Sequence, residues 1–515
     1  MALLQPVEGP RALHERRKLE VFDPATLERV GEIEVATTED VQVAVEHARK
    51  AFESWRSLSF RERERYMLAV RDVIVERTDE IAETICRDTG KPRLEAVTLE
   101  ILGACDALTY YAKNAERLLS DEKKNLHLMK HKKLVLSYRP MGVIGIITPW
   151  NFPFLLSLNP TVQALMAGNT VVLKPSEVTP FVGIMLERVF EAAGLPTGVF
   201  QVVTGDGTTG AALLEAGCDK ISFTGSVRTG RKVAETCGAR LIPCTLELGG
   251  KDPMIVCDDA ELERAARGAV YGAFCNSGQI CISTERVYVT EKLAQPFVAR
   301  VVELTQELRQ GPEVEGDVDV GAITFPPQLD IIERHVKDAT DKGARVLTGG
   351  RRNPNYAGYF YEPTVLVDVD HTMEIMCEET FGPVLPIQVV RDESEALRLA
   401  NDTQFGLNAN VWTRDRHKGK QIANQLNSGA VVVDDCLVAY GIAESPFGGV
   451  NQSGIGRVNG EMGLKSNCHV QSVITGRFTS KREYLWFPYS AKKLRFLRKA
   501  VDFLYRSRFG KLLGN

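Results

Sequence analysis

The chain has 515 residues, 44% hydrophobic and 25% charged, the balance of an ordinary globular protein. That excludes a disordered, collagen-like or disulfide-scaffold chain. With 63 Lys and Arg against 67 Asp and Glu, the net charge of −4 gives no overall electrostatic case for nucleic acid.

The opening MALLQPVEGPRALHERRK holds only a short apolar stretch, too short for a signal peptide. No run approaches the roughly 18 apolar residues that suggest a spanning helix. The cysteines, odd in number and without a CxxC pair, read as free thiols of a reducing compartment. The expectation is a cytoplasmic chain, with peripheral membrane contact left open. Among the histidines there is no HExxH, and no metal site is predicted.

The N-terminal third reads as helical. Thr37 and Asp40 fit a capping box, and Val41, Ala44, Val45, Ala48, Ala51, Phe52 and Trp55 recur at helical spacing. A second amphipathic stretch runs from about Arg61 to Thr89. Beyond Met141 short β-branched runs appear at GVIGII (142–147), TVVL (170–173), VFQVV (199–203) and Ile221 to Phe223. Helical segments alternate with them; one starts at Thr179, an N-cap followed by Pro180, and stops at Gly194. Such alternation predicts βαβ units and a parallel sheet covered on both faces. A second α/β pattern runs from Gly250 to about Gly449.

Several residues could carry chemistry. In FCNSGQICISTER, Cys281 follows a small polar turn that could stabilise a thiolate; the plainer reading is a space-filling cysteine. Glu247, at a strand end in TLELGGKD, could be desolvated and serve as a base, or could simply be exposed. Asn151 in TPWNFP could aim its amide at an oxyanion, or be an ordinary turn residue. Two loops compete for phosphates. GDGTTG spells GxGxxG at Gly205, Gly207 and Gly210, but lacks the acidic residue expected about 20 positions on. FTGSVRTG, with Gly225 and Gly230, joins a strand to a helix. Lys174 and Glu177 in LKPSE could grip ribose hydroxyls, and that carboxylate would repel a 2′-phosphate, favouring NAD over NADP.

Taken together, TPWNFP, LKPSE, FTGS, LELGGKDP, NSGQIC, EETFGPV (378–384) and PFGGVNQSGIGR (446–457) resemble the aldehyde dehydrogenase superfamily from about Val21 to about Val473. The resemblance implies an α/β fold: a Rossmann-like NAD-binding domain (1–125 and 142–247), a second α/β catalytic domain (248–447) and a small β oligomerisation flap (126–141 and 465–487). It implies Cys281 as nucleophile, Glu247 as general base, and Asn151 with the Cys281 N–H as oxyanion hole. Lys174 and Glu177 would bind the adenosine ribose, Gly225 and Ser226 the pyrophosphate, and Glu379 and Phe381 the nicotinamide half. Ile147, Trp150, Ser176, Gly207, Gly230 and Leu248 complete the expected NAD contacts. The implied reaction is aldehyde oxidation to a carboxylic acid through a thioester, in a homodimer or homotetramer. A non-catalytic protein retaining the scaffold is the rival; it would have lost one of the three catalytic residues, and all are present.

The sequence departs from frequent family residues at Asp434, Val450 and Val458. GVNQSGIG and YLWFPYS (484–490) lean towards the fatty and aromatic aldehyde branch. Phe152, Leu156, Asn159, Ile280, Ile282 and Phe447 are expected to line the substrate tunnel. This mostly apolar set predicts an apolar aldehyde; alternatively these side chains pack together and a polar group of the 435–445 loop sets specificity. The tail at 488–515 is basic, with an apolar stripe of Leu494, Leu497, Val501 and Leu504. Two readings stay open: residues 490–515 contact an anionic membrane surface, or the stripe docks on protein.

Overall fold

A computed structural model of the protein describes residues 16–313 and 316–506. The first fifteen residues, and the tail residues Arg508, Phe509 and Lys511, lie outside the described residues.

A hairpin of β1 (Lys18–Phe22) and β2 (Arg29–Glu34) opens the chain. The helix Thr38–Trp55 follows, with the expected capping box at Thr37 and Asp40 and its apolar face buried. The second amphipathic stretch is two helices rather than one, Phe60–Glu76 and Thr78–Thr89. They break at Arg77, because Thr78, Asp79 and Glu80 start a new helix with acidic residues in its first turn. A π-helical turn at Ala96–Ile101 then leads into the helix Leu102–Leu118.

The flap excursion consists of β3 (Glu122–Lys124) and β4 (Lys132–Pro140). The chain then builds β5 (Val143–Ile147), β6 (Thr170–Lys174), β7 (Phe200–Val202), β8 (Lys220–Thr224) and β9 (Cys244–Glu247). These five strands are parallel. Every residue of β5 and β6 is buried, as a sheet with helices on both faces requires. One helix between them is Pro180–Ala192, with Thr179 at the N-cap position and Pro180 in the first turn as expected, although the Thr179 hydroxyl makes no cap bond.

A second sheet contains β10 (Pro253–Val256), β11 (Arg286–Thr290), β12 (Arg345–Thr348), β13 (Thr364–Val367), β14 (Val384–Val390), β15 (Asn408–Trp412) and β16 (Ala430–Val433). Its order is β12-β13-β14-β11-β10-β15-β16, with only β12 antiparallel. Afterwards β17 (Gly454–Ile455) returns to pair antiparallel with β9, and β18 (Cys468–Gly476) joins β4 and β3 in a three-stranded antiparallel sheet.

The first sheet has the order β17-β9-β8-β5-β6-β7. From β5 the chain steps outward through β6 and β7, then crosses to the other side of β5 for β8 and β9. The order therefore reverses between β5 and β8, and ligands of open α/β sheets settle beyond the carboxyl ends at such a switch point. TPWNFP, LKPSE, FTGS and LELGG all leave strands at that end.

Candidate active site

The cysteine turn is built on unusual backbone. Asn276, Ser277 and Gly278 all have positive φ, at 49°, 55° and 73°. A Cβ at Gly278 would lie 2.2 Å from the Gly382 carbonyl oxygen, so only glycine lets these loops meet. Gln279 is fully buried; its amide donates to the Asn276 and Ala322 carbonyls while its Oε1 accepts from the Thr324 N–H. Such a bonded frame holds a strained turn in one conformation and fixes where Cys281 begins. Burial raises the thiol's pKa, and the Asp252, Glu379 and Glu247 carboxylates add to the shift.

Glu247 ends β9 and is buried, and neither carboxylate oxygen has a hydrogen-bond partner among the described residues. Burial pushes its pKa well above the usual carboxylate range, with Arg457 opposing weakly. The sequence alternative of an exposed strand-end glutamate is thus excluded. Glu379 accepts from the Gly250 N–H at 2.9 Å. A Cβ on Gly249 would sit 2.3 Å from its Oε2, and one on Gly250 2.6 Å from the Cys281 carbonyl oxygen. The paired glycines let three chain segments converge.

Asn151 is buried in the turn between β5 and the helix Leu155–Met166. Its Nδ2 donates to the Gln279 carbonyl at 2.9 Å, tying it to the cysteine turn. That bond uses one amide hydrogen; no acceptor for the second is present among the described residues. The Cys281 backbone N–H likewise donates to no other residue's oxygen there. Asn151 is thus tied to the cysteine turn, and the Glu247 carboxylate lies near enough to raise the Cys281 thiol's pKa.

Two residues that the sequence reading missed hold this turn. Lys91 and Glu100 are fully buried and paired at 2.7 Å. Lys91 Nζ also donates to the Asn151 carbonyl at 2.7 Å and lies 4.2 Å from the Phe152 ring centre. Glu100 Oε2 accepts from the Phe154 and Leu155 N–H groups at 2.8 and 3.2 Å. One ion pair thus grips the backbone on both sides of Phe152. Their signal was a lysine and a glutamate nine residues apart within an otherwise helical stretch, whose joint role depends on chain 50 residues away.

Ile147, Trp150, Lys174, Ser176, Glu177, Gly225, Ser226 and Leu248 lie at or just beyond the carboxyl ends of β5, β6, β8 and β9. Ile147 closes β5, and the Trp150 ring meets Phe381 edge-on at 5.4 Å. Lys174 Nζ donates to Glu177 at 2.8 Å, while the Ser176 hydroxyl accepts from the Val178 N–H. Gly225 donates to the Glu247 carbonyl, and Ser226 caps the helix Val227–Arg240. Gly230 has no room for a Cβ because the Leu248 side chain packs on it. Gly207 sits apart, beyond the outer strand β7, on a helix whose first turn is capped by the Asp206 carboxylate. A carboxylate there already fills the place an incoming phosphate would need, so GDGTTG is the poorer anion loop. Phe381 has φ +51° and is held by Glu285, which accepts the Thr380 and Phe381 N–H groups at 2.9 and 2.8 Å. Glu285 is in turn paired with buried Lys251 at 2.6 Å.

Phe152, Leu156, Ile280, Ile282 and Phe447 form one buried cluster with Cys281, Leu407, Val458 and Tyr440. Asn159 joins it through polar contacts, donating to Asn459 Oδ1 at 2.6 Å and to the Tyr440 hydroxyl at 3.3 Å. From the 435–445 loop Tyr440 packs on this cluster, its ring meeting Phe447 edge-on at 5.1 Å.

Comparison with known proteins agrees with this geometry. Residues 12–473 match the model of the aldehyde dehydrogenase family. A 4,4′-diapolycopene aldehyde oxidase of Methylomonas sp is 40% identical, over 92% of this chain and 89% of its own length. A Mycolicibacterium smegmatis protein, provisionally named succinate-semialdehyde dehydrogenase [NADP(+)], is 39% identical over 92% of this chain and 91% of its own. The crystal structure of a Mycobacterium tuberculosis aldehyde dehydrogenase complexed with NAD+ superposes with a TM-score of 0.87 at 35% identity, covering 91% of this chain and 96% of that one. A thiol, a buried carboxylate and an amide gathered at the ends of parallel strands, within a chain alike over nearly its whole length, have one reading: the protein is a member of the aldehyde dehydrogenase family, an enzyme that oxidises an aldehyde.

Proposed function

We propose that the protein oxidises an apolar aldehyde to its carboxylic acid, with NAD as acceptor, through a covalent adduct on Cys281. The observation that carries this is a buried glutamate, both oxygens unpartnered among the described residues, near a thiol whose neighbouring Asn151 amide keeps one hydrogen to donate and whose own N–H no other residue's oxygen takes there.

Cys281 Sγ adds to the carbonyl carbon, and its proton passes to Glu247. A carboxylate whose pKa burial raises above the usual range is a stronger base for that transfer than an exposed one. The alkoxide that forms is stabilised by the Asn151 amide and the Cys281 N–H; losing one such donor costs about 100- to 1000-fold in rate. When bound, NAD supplies the acceptor for the hydride that leaves this carbon. A thioester then remains on Cys281. Once Glu247 has released the thiol's proton to solvent, its carboxylate removes a proton from water as the water oxygen attacks the thioester carbon; the C–S bond breaks, the acid departs, and the sulfur takes that proton from Glu247.

The residues present fit NAD. The switch point offers a strand-to-helix turn at Gly225 and Ser226, with Gly230 and Leu248 packed behind it, for a pyrophosphate. Ile147, Trp150 and Ser176 flank it, and Gly207 stands at its outer margin. Lys174 and Glu177 suit ribose hydroxyls, and the Glu177 carboxylate disfavours a 2′-phosphate. Glu379 and Phe381, pinned by Glu285, suit the nicotinamide half.

The apolar substrate follows from the wall of Phe152, Leu156, Ile280, Ile282 and Phe447, where Asn159 and Tyr440 bond one another. Of the nearby cations, Lys91 is paired with Glu100 and so is not left for a substrate carboxylate, while Arg457 commits Nη1 to the Gly449 and Gly456 carbonyls. We further assign NAD to the first-sheet unit, Cys281 to the second, and a homodimer or homotetramer to the exposed β18 edge, where Val470 and Ile474 face outward. All eleven cysteines are free, which fits a cytoplasmic location. The test is NADH formation from octanal and benzaldehyde by the wild type and Cys281→Ala. Turnover should vanish in the variant; equal rates would overturn the assignment.

A further inference from the structure

Beyond β18 the chain leaves the flap with side chains that nothing among the described residues covers. Phe478, Tyr484, Leu485, Trp486, Phe487 and Tyr489 are each half exposed or more. The segment then turns into the helix Ala491–Arg506, which has no fully buried residue. Hook and helix form one unit. Lys493 Nζ donates to the Trp486 and Pro488 carbonyls at 2.9 and 3.1 Å, and the Tyr484 and Phe496 rings meet edge-on at 5.7 Å. A salt bridge between Lys132 and Glu483 at 2.6 Å anchors the unit to the flap.

On the helix, Leu494, Leu497, Val501 and Leu504 recur at spacings of three and four and share a face. Leu494 and Val501 are more than half exposed, as is Tyr505 beside them. The opposite face carries Lys492, Arg495, Lys499 and Arg506. Nine Lys and Arg stand between residues 477 and 506 against only Glu483 and Asp502, in a chain whose net charge is −4. Glu483 is already paired with Lys132, and Asp502 lies 3.4 Å from Arg506.

An exposed apolar face this large marks an interaction surface, and the charge around it selects the occupant. A second copy packed stripe to stripe would cover the leucines but give the cations, which lie on the opposite face, no counter-charge. An acidic peptide would meet the charges but leave the aromatic hook uncovered. A bilayer with anionic headgroups satisfies both, with acyl chains for the leucines, the interfacial zone for Trp and Tyr, and headgroups for the cations. No helix among the described residues is long and apolar enough to cross a membrane, so the helix would lie in the interface. We propose that residues 478–506 seat the protein on an anionic lipid bilayer, with Leu494, Leu497, Val501 and Leu504 towards the acyl chains and Arg495, Lys499 and Arg506 at the headgroups. This docking is independent of the reaction and of the substrate.

The test is co-sedimentation of the full chain with phosphatidylcholine vesicles, with and without phosphatidylglycerol. The wild type should pellet with the anionic vesicles, less so as salt rises. Neutralising the polar face (Arg495→Gln, Lys499→Gln, Arg506→Gln) should weaken binding by about 100-fold. Leu494→Ser with Val501→Ser should weaken it by more than about tenfold. Turnover of a water-soluble aldehyde should be unchanged in both variants, which reports folding separately. Wild type that stays in the supernatant with anionic vesicles overturns the proposal, as does undiminished binding by the neutralised variant. A serine variant that changes the mass by light scattering while the wild type ignores vesicles assigns the face to a partner subunit instead, and overturns it too.

Discussion

Replacing Lys91 by Met removes one side of a buried ion pair while nearly preserving volume, and it should damage stability and rate together. Glu100 would keep the Phe154 and Leu155 N–H groups but lose its only cation, at a site where both partners are fully buried. Breaking such a pair by removing one partner costs about 3–5 kcal/mol, because a charge is left uncompensated. With unfolding in units of a few hundred residues, that lowers Tm by about 6 °C or more. The Asn151 carbonyl would lose the Nζ donor at 2.7 Å, and Phe152 the cation 4.2 Å above its ring. Freed on that side, the Asn151 amide should stray from the oxyanion position, and kcat should fall towards the 100-fold loss expected for a missing donor. Adding Glu100→Gln should recover part of the Tm, since no bare charge remains, and little of the kcat. Thermal unfolding and steady-state kinetics on the three variants check this. Wild-type kcat in Lys91→Met, or a Tm that falls further in the double variant, would refute the clamp.

The remaining predictions concern the thiol, the base and the substrate. Because burial and three carboxylates raise the Cys281 pKa, alkylation of the cofactor-free protein by iodoacetamide, followed by mass spectrometry of the Cys281 peptide, should keep accelerating from pH 7 to pH 9; a plateau reached below pH 8 would mean a preformed thiolate and contradict the burial argument. Glu247→Gln should slow thioester hydrolysis by about 100- to 10,000-fold, and an unaltered steady-state rate in stopped-flow records of NADH would remove it as the base. In a substrate panel the kcat/KM for octanal and benzaldehyde should exceed that for succinic semialdehyde, and the reverse order would show that a cation reaches the substrate. Glu95 is pushed up to about 7 by burial and accepts the Asn276 N–H at 2.9 Å. Its raised pKa means that the folded state holds a proton the unfolded chain has lost, so its contribution to stability declines as pH rises from about 4.5 through 7; Glu95→Gln should therefore make Tm less dependent on pH in that window.

What the sequence made legible was whatever depends on local pattern or on residue type at a strand end. The β-branched runs at 142–147 and 170–173 became the two wholly buried central strands, because a parallel sheet covered on both sides needs uninterrupted apolar residues. Cys281, Glu247 and Asn151 stood out because motif order carries them. The break at Arg77 was not, since the apolar period runs across it and only a local restart divides the helix. Lys91 and Glu100 stayed hidden for a different reason. A charged pair nine residues apart looks like helix surface until the fold lays the TPWNFP turn over it. The same logic separates the two glycine loops. GDGTTG has the better spelling, yet its helix is capped by its own Asp206, whereas FTGS lies beside the sheet's reversal with a serine cap that carries no charge. Spelling reports which backbone conformations are permitted; the electrostatic state of the helix end decides whether an anion is welcome there, and in this protein that state is set by one side chain adjacent to the glycine.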